Sequence, residues 1–236
     1  MNRLVRILLR NLHRLPGVYM TMRRFGKYMD RYSYQHTWDY IRRKLNIALK
    51  SSNVEMVITG VENIPEEGGF MLYGNHQGLF DIMAVSCSCP RPLGVVYKKE
   101  LKNIPIMKDF CTCTKSFAMD REDVRQSLTV INAVTEEVKS GRPYLIFPEG
   151  TRSKTGNTMN PFHGGSFRCA VKAKCPIVPM ALIDCYKVFD QPGSKPITAQ
   201  LHYLPAIYPE EFAGMKPAQV AEMVKARIQA VIDENA

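Results

Sequence analysis

The chain has 236 residues, of which 45% are hydrophobic, which is enough for one globular core with an appendage rather than two equal domains. Its net charge of +10 is unevenly placed, because residues 1–50 carry 12 of the 32 Lys and Arg and only 2 of the 22 Asp and Glu, leaving 20 of each in residues 51–236. An uninterrupted apolar run of about 18 residues is missing, which argues against a transmembrane helix. Arg6 and Arg10 would interrupt a signal peptide, and the odd number of cysteines favours reduced thiols on the cytoplasmic side.

The first predicted element is a basic amphipathic helix over residues 1–15. At about 100° per residue, its arginines fall on one side and its apolar residues on the other. The basic side holds Arg3, Arg6, Arg10 and Arg14, and the apolar side holds Leu4, Val5, Leu8, Leu9, Leu12 and Leu15. This pattern is typical of a helix in a membrane interface, with leucines in the acyl region and arginines at anionic headgroups, and it disfavours nucleic acid as the partner. We therefore expect residues 1–50 to dock peripherally or monotopically on the cytoplasmic face of a membrane, and residues 51–236 to form the globular domain.

Pro16 and Gly17 predict the end of that helix, and a second helical segment is predicted from Val18 to Leu49. This segment contains several aromatic residues, namely Tyr32, Tyr34, Trp38 and Tyr40. Two interpretations remain open for them. They lie at headgroup level, or they pack the helix on the globular domain.

Short apolar runs separated by turns begin after Ser51 and predict strands. The runs are 54–60, 69–73, 92–97, 143–147, 176–182 and 199–203. Helical patterns lie between or after them at about 122–140, 164–174 and 217–233. Alternating strands and helices predict an α/β fold with a mixed, largely parallel sheet flanked by helices.

The most informative motif is Asn75-His76-Gln77-Gly78-Leu79-Phe80-Asp81, which follows a predicted strand. An imidazole can take a proton from a hydroxyl group near neutral pH, and a carboxylate on its other nitrogen would fix the tautomer. Alone, a histidine and an aspartate five positions apart are a weak signal. A second motif, Phe147-Pro148-Glu149-Gly150-Thr151-Arg152-Ser153, also follows a predicted strand, so convergence of both motifs at one sheet edge is favoured.

With these motifs the chain resembles the glycerolipid acyltransferase family, which includes 1-acyl-glycerol-3-phosphate acyltransferases. The family's first motif, His, four residues and Asp, matches His76 to Asp81, and its third matches every position from Phe147 to Ser153. The second and fourth motifs resemble Ser116–Arg121 and Ile177–Leu182. The resemblance covers about residues 70–185 and implies an acyltransferase domain.

The resemblance implies a role for each matched residue. His76, oriented by Asp81, would deprotonate an acceptor hydroxyl for direct attack on a thioester, without an acyl-enzyme. Backbone N–H groups of Gly150 and Thr151 would face the oxyanion, and Glu149 would bind glycerol hydroxyls and hold an arginine. Arg121, Arg152 and Lys98 would bind the acceptor's phosphate.

Simpler explanations exist for some of these residues. Arg121 follows Asp120 and precedes Glu122 and Asp123, so it would equally suit an exposed ion pair at a helix start. Only one of Lys98 and Lys99 is expected to face a pocket, since strand side chains alternate. The pairs Cys87/Cys89 and Cys111/Cys113 suggest a zinc site. Their spacing is unfavourable for zinc binding, and packed, reduced thiols are the default interpretation.

The resulting expectation is an acyltransferase of phospholipid biosynthesis. It would move a fatty acyl group from acyl-CoA or acyl-carrier protein to the sn-2 hydroxyl of 1-acyl-glycerol-3-phosphate, giving phosphatidic acid. It would need no cofactor or metal beyond the thioester co-substrate. The alternatives are an acyltransferase for glycerol 3-phosphate or another lysophospholipid, and a non-catalytic protein of the same fold that binds anionic membranes.

Overall fold

The computed structural model describes residues 3–191, 193 and 195–236. The helices are α1 (Arg3–Asn11), α2 (Leu15–Lys27), α3 (Tyr34–Lys50), α4 (Phe80–Ser88), α5 (Pro105–Cys113), α6 (Val124–Lys139), α7 (Arg168–Ala173), α8 (Tyr186–Phe189) and α9 (Pro217–Asn235). The strands are β1 (Val54–Thr59), β2 (Met71–Gly74), β3 (Gly94–Lys98), β4 (Phe117–Met119), β5 (Tyr144–Ile146), β6 (Ile177–Ile183) and β7 (Ile197–Tyr203). Strand β4 and helices α5 and α8 are additions to the elements expected from the sequence.

Within the described residues the strands form one seven-stranded sheet in the order β1-β7-β6-β2-β5-β3-β4. Every neighbouring pair is parallel except β6 and β7, which are antiparallel. The predicted α/β fold with a mixed, largely parallel sheet is confirmed. Four consecutive strands, β2, β5, β3 and β4, are parallel to one another, so their carboxyl ends lie at the same edge.

Both faces of the sheet are covered, which explains why its central strands are apolar throughout. Residues of β2 alternate between the two faces: Met71 and Tyr73 join a core with α6, α7 and α9, while Leu72 joins a core with α3, α4 and α8. Strand β6 is buried along its whole length. The buried sheet is therefore a rigid support for the loops at its carboxyl edge.

The amino-terminal helices differ from the expected pattern. Pro16 does not end a helix but lies in the first turn of α2, where its missing N–H costs nothing. The chain bends at a 3-10 turn over Leu12–Arg14, and the expected helix from Val18 to Leu49 is interrupted between α2 and α3. Ser33 caps the new start, since its hydroxyl accepts a hydrogen bond from the His36 N–H at 3.1 Å.

The structure shows packing for all four aromatic residues, with Tyr34 and Trp38 against the globular domain and Tyr32 and Tyr40 against helix α2. Trp38 is 1% exposed in the core beneath α3, and its indole N–H donates to the Cys89 carbonyl at 3.1 Å. The Tyr34 hydroxyl donates to the Thr114 carbonyl at 2.7 Å. Tyr32 and Tyr40 both pack edge-on against Phe25.

Helix α1 has three distinct faces. Arg3, Ile7 and Asn11, each four residues apart, are buried against the protein. Arg10 is exposed and Arg6 is half-buried on a second face. Apolar side chains on the third face are 36–60% exposed, namely Leu4, Val5, Leu8, Leu9 and, just beyond the helix, Leu12.

In the part of the chain that the structure describes, none of the helices combines the length and the apolarity that crossing a membrane requires.

Candidate active site

The residues singled out from the sequence lie where neighbouring parallel strands end. His76 follows β2, the segment Phe147–Arg152 follows β5, Lys98 ends β3, and Arg121 follows β4. Because these strands are adjacent in the sheet, the loops that carry the four segments are neighbours as well. The predicted convergence at one sheet edge is confirmed.

A histidine and a buried aspartate form the centre of the site. His76 Nδ1 lies 2.7 Å from Asp81 Oδ2, and Asp81 is fully buried in the first turn of α4. The same carboxylate oxygen accepts the backbone N–H groups of Gln77 at 2.6 Å and Gly78 at 2.9 Å. Since a carboxylate accepts the Nδ1 proton, His76 Nε2 is left with its lone pair and can act as a base.

The ring of His76 is also held by stacking. It lies parallel to the ring of Phe147, with centroids 4.2 Å apart and an interplanar angle of 13°. Its side chain is 16% exposed and lines an open cavity. The imidazole is therefore oriented by Asp81 from one side and by Phe147 from its face, and still reaches solvent.

Two further polar residues of the first motif hold this loop in place, and neither was assigned a role from the sequence. Asn75 is buried and makes a pair of 2.8 Å hydrogen bonds with both backbone groups of Leu182 in β6. Gln77 donates to Asn157 Oδ1 at 2.7 Å and accepts the Cys185 N–H at 2.9 Å. Buried amides that satisfy backbone groups on other elements could only be identified once those elements were placed.

The carboxylate of Glu149 is held by the main chain of the protein, whereas the sequence predicted that it binds glycerol hydroxyls and an arginine. It is 2% exposed, and both carboxylate oxygens accept backbone N–H groups, from His76 at 2.7 Å and from Asn160 at 2.8 Å. Burial raises the pKa of Glu149, while these two donors oppose the rise by stabilising the ionised form. Glu149 therefore joins the second motif to the first, with a parallel bond from the Ser153 N–H to the His76 carbonyl at 2.8 Å.

Gly150 is placed differently from the expected oxyanion site. Its N–H donates to the Phe147 carbonyl at 3.1 Å within a turn, so it is not available to a substrate. The turn requires glycine, because φ is +67° and a Cβ would approach the His163 ring at 3.2 Å. Among the described residues the Thr151 N–H has no hydrogen-bond acceptor, and Thr151 lines the cavity.

The cavity beside His76 has a volume of about 660 Å³ and is lined by four Lys and Arg residues, Lys98, Arg121, Arg152 and Lys154. Of the two lysines, Lys98 lines the cavity. Lys98 pairs with Glu100 at 3.3 Å, and Lys99 pairs with Asp120 at 2.6 Å. The hydrogen bond from Lys99 lowers the pKa of Asp120. Arg152 is 54% exposed, and its Nη1 lies 4.0 Å from Asp190 Oδ1 across the cavity wall.

Arg121 does not form the helix-start ion pair offered as its simpler explanation. Its guanidinium donates to the Gly150 carbonyl, and within the described residues it has no salt bridge. It therefore ties the loop after β4 to the loop after β5. This placement lets Arg121 line both the cavity and a second space beside it.

That second space is a mostly apolar groove of about 600 Å³. Side chains on its floor include Val96, Met119, Val124, Leu128, Ile131 and Ile146. The groove shares Arg121, Phe147 and Thr151 with the cavity, so the two spaces meet next to the imidazole.

Arg3 is not available for headgroup contacts, which corrects its place in the predicted membrane surface. It is 2% exposed, and its guanidinium donates to three main-chain carbonyls. Arg14 is exposed and donates to Asn11 Oδ1 at 3.0 Å. Arg6 and Arg10 remain on the basic face, and Leu4, Leu8 and Leu12 remain at the surface.

The cysteines are buried thiols, each without a disulfide partner. Burial raises the pKa of Cys87 and of Cys113 to about 12, which makes both poor thiolate ligands. Over residues 3–191, 193 and 195–236, no three His, Cys, Asp or Glu side chains come together as a metal site would require.

Comparison with known proteins agrees with this geometry. The family model described as Acyltransferase matches residues 55–183, more than half of the chain, and spans both motifs. The chain belongs to the Acyltransferase family. The resemblance inferred from the motifs is therefore confirmed, and His76, Asp81 and the segment from Phe147 to Ser153 lie inside the matched region.

Several curated relatives of this acyltransferase carry the name 1-acyl-sn-glycerol-3-phosphate acyltransferase. A protein from Helicobacter pylori is 35% identical over 170 residues, covering 69% of this chain and 70% of that protein. One from Pseudomonas aeruginosa is 31% identical and is covered over 70% of its length, with 78% of this chain matched. The Saccharomyces cerevisiae protein is 33% identical over 55% of this chain, but only 43% of its own length is matched.

Other relatives are matched over 38–59% of their length, so the chain spans about half of several of them. Among solved structures, the 1-acyl-sn-glycerophosphate (LPA) acyltransferase PlsC from Thermotoga maritima has the same fold. The TM-score is 0.77 at 21% identity, with 98% of this chain and 97% of that chain covered.

The acyltransferase geometry predicts that His76→Ala and Asp81→Asn both lower kcat. Loss of a positioned base costs about 10²–10⁴-fold in rate, and the asparagine would no longer fix the tautomer of His76. Steady-state release of thiol from an acyl thioester measures kcat, and calorimetry measures the melting temperature. If His76→Ala mainly lowers the melting temperature and leaves kcat of the folded fraction unchanged, His76 is a structural histidine.

Proposed function

We propose that the protein transfers a fatty acyl group from a thioester to the sn-2 hydroxyl of 1-acyl-glycerol-3-phosphate, giving phosphatidic acid. The observation that carries the proposal is the 2.7 Å pair of His76 and Asp81 on a cavity lined by four Lys and Arg residues. A base positioned beside phosphate-binding groups suits an acceptor that presents both a hydroxyl and a phosphate. The names of the curated relatives support the same acceptor.

In the proposed reaction, His76 Nε2 takes the proton of the acceptor hydroxyl as its oxygen attacks the thioester carbonyl carbon. Asp81, hydrogen-bonded to Nδ1, stabilises the imidazolium that forms. The C–S bond then breaks, and the departing sulfur takes the proton back from His76. The acyl group passes directly to the acceptor oxygen, and the Thr151 N–H would stabilise the oxyanion.

The acceptor's phosphate would bind among Lys98, Arg121 and Arg152. Guanidinium groups bind phosphate with two parallel hydrogen bonds, and an ammonium group adds a point charge. Lys98 and Arg152 each have a carboxylate partner, Glu100 and Asp190, that a phosphate would compete with. Arg121 is fixed by the Gly150 carbonyl and offers its remaining donors.

The apolar groove beside the cavity would take an acyl chain. It adjoins the cavity at Phe147 and Thr151, where an acyl carbonyl would have to lie for attack. Both acyl-CoA and acyl-carrier protein present the same thioester, and either is the donor in this proposal.

The same proposal includes attachment to the cytoplasmic face of an anionic membrane by residues 1–50. A leucine face exposed beside basic residues is favourable at a lipid interface, where apolar side chains leave water and cations meet anionic headgroups. Leu4, Leu8 and Leu12 are 36–60% exposed, and Arg10 lies on the basic face. Residues 51–236 would then act as the acyltransferase domain on lipid at the surface.

If the phosphate site is correct, Arg152→Gln should raise KM for lysophosphatidate by about tenfold or more, because a hydrogen bond to a charged group contributes about 1.5–3 kcal/mol. The kinetics are measured in mixed micelles with one acyl thioester. Lys139→Gln is the matched control, since Lys139 is exposed at the end of α6 and pairs with Glu136.

The acceptor panel in this assay contains lysophosphatidate, lysophosphatidylcholine and glycerol 3-phosphate. Preference for lysophosphatidate supports the proposed acceptor, and preference for either of the others replaces it. Absence of thiol release with every acceptor would leave the non-catalytic membrane-binding alternative.

The exposed leucine face gives a second prediction. A triple variant, Leu8→Ser, Leu9→Ser and Leu12→Ser, should lower the vesicle partition coefficient by about 30-fold or more. Full burial of a leucine contributes about 1.5–3 kcal/mol, and these three side chains are 45–60% exposed, so each would gain about half of that in lipid. Sedimentation with vesicles that contain anionic lipid measures binding. Val57→Ser is the control, since Val57 is 37% exposed on the edge strand β1. Unchanged binding of the triple variant would contradict the docking surface.

A further inference from the structure

Arg3 fixes the amino-terminal helix to a wall of the active site. Its Nη1 donates to the carbonyls of Lys187 and Gln191, both at 3.3 Å, and its Nη2 donates to the carbonyl of Lys195 at 2.8 Å. Because the N–H donors of a guanidinium have fixed directions, a guanidinium bound to three carbonyl groups restricts the conformation of the main chain that carries them. Ile7 and Asn11 are buried on the same face, and Asn11 Nδ2 donates to Ser51 Oγ at 2.8 Å.

Arg3 contacts the far end of residues 184–191, and the near end of this segment is fixed to the loop that carries His76. Cys185, just before α8, donates its N–H to Gln77 Oε1 at 2.9 Å, and Gln77 is next to His76. The Asp184 N–H donates to Asn157 Oδ1, and Asn157 Nδ2 donates back to Asp184 Oδ1, at 2.9 and 3.1 Å. The hydrogen bond from Lys187 to Asp184 raises the pKa of Lys187 and closes the turn. Residues 184–191 are thus held by the His76 loop at one end and by Arg3 at the other.

Two side chains of this segment face the cavity, Tyr186 and Asp190. Asp190 Oδ1 lies 4.0 Å from Arg152 Nη1, and the other oxygen of Asp190 lies 3.1 Å from where a Cβ on Gly78 would be. The carboxylate therefore lies between the first motif and the arginine of the second. Arg3 donates to the Gln191 carbonyl, one residue after Asp190.

From these contacts we propose that Arg3 is a positioning residue for the acceptor site, acting through Asp190 on Arg152. Arg3 holds the main chain on both sides of Asp190, and Asp190 sets the direction of the Arg152 guanidinium before a phosphate binds. The helix that presents the leucine face is thereby mechanically joined to the group that binds the acceptor. The inference rests on the proposed function in one respect, that Arg152 binds the acceptor's phosphate.

The test is a double-mutant cycle with Arg3→Gln and Asp190→Asn. Kinetics use a short-chain lysophosphatidate below its critical micelle concentration and no vesicles, so membrane attachment does not contribute. Arg3→Gln should raise KM for this acceptor by about tenfold, within the usual range of coupling between sites, with kcat changed by less than about twofold. The double variant should have a KM close to that of Asp190→Asn, since Arg3 acts through Asp190.

The matched control is Arg23→Gln, which also removes an arginine from the amino-terminal helices. Arg23 is exposed and lies over the ring of Tyr19 in the same helix. It should leave KM unchanged. Arg3→Lys should restore KM only in part, because an ammonium group cannot reach three separate carbonyls in the geometry of the guanidinium.

Hydrogen exchange gives a readout that does not need turnover. Arg3→Gln should speed amide exchange in residues 185–191 and leave β1 unchanged, whereas Arg23→Gln should change neither. An unchanged KM for Arg3→Gln, additive effects in the double variant, or unchanged exchange in residues 185–191 would overturn the inference. If the wild-type protein transfers no acyl group to any acceptor, the proposed function fails, and the exchange experiment still decides whether Arg3 holds the segment.

Discussion

The buried carboxylate of Glu149 is the contact on which the site depends. Its two oxygens accept N–H groups from His76, after β2, and from Asn160, after β5, so one side chain joins the loops of adjacent strands. A buried carboxylate is costly unless its oxygens are hydrogen-bonded, and here both are. The loop that carries the base therefore keeps one position, and the base is ready before substrate binds.

A second buried carboxylate, Asp81, orients the imidazole of His76, while Glu149 holds the main chain of the same loop. One oxygen of Asp81 accepts from His76 Nδ1 and from two backbone N–H groups, which holds the imidazole ring against its own loop. The cationic side chains come from the end of β3 and from the loops after β4 and β5, at the same edge of the sheet. The chemistry follows from topology, since the loops after four parallel strands bring a base and several cationic side chains to one cavity.

The features that could be predicted from the sequence are those that depend on local residue patterns. Apolar runs located most of the sheet, and the position of His76 and Glu149 after two runs predicted their convergence. The prediction that Arg3 contacts lipid headgroups was wrong, because a helical wheel shows that a helix is amphipathic but not which face packs on the protein. The Lys187 carbonyl that Arg3 binds lies 184 residues later in the sequence. Glu149 was expected to contact substrate, whereas it binds the His76 loop, whose approach depends on strand order. Gly150 was expected to bind the oxyanion, whereas its N–H is used in a local turn by the Phe147 carbonyl. The start of α3 at Ser33 was not predicted, because a serine can cap a helix but is also found at many other positions.

The measurement that tests the central claim most directly is the kinetics of Glu149→Gln. Glutamine offers one acceptor oxygen to two N–H donors, so an N–H group is left unpaired at a cost of about 1–3 kcal/mol and the His76 loop shifts. We predict a loss of kcat close to that of His76→Ala, with KM for lysophosphatidate nearly unchanged, and no effect of the control Glu136→Gln, whose side chain is 71% exposed. A raised KM with an unchanged kcat would contradict the account and show that Glu149 binds the acceptor itself.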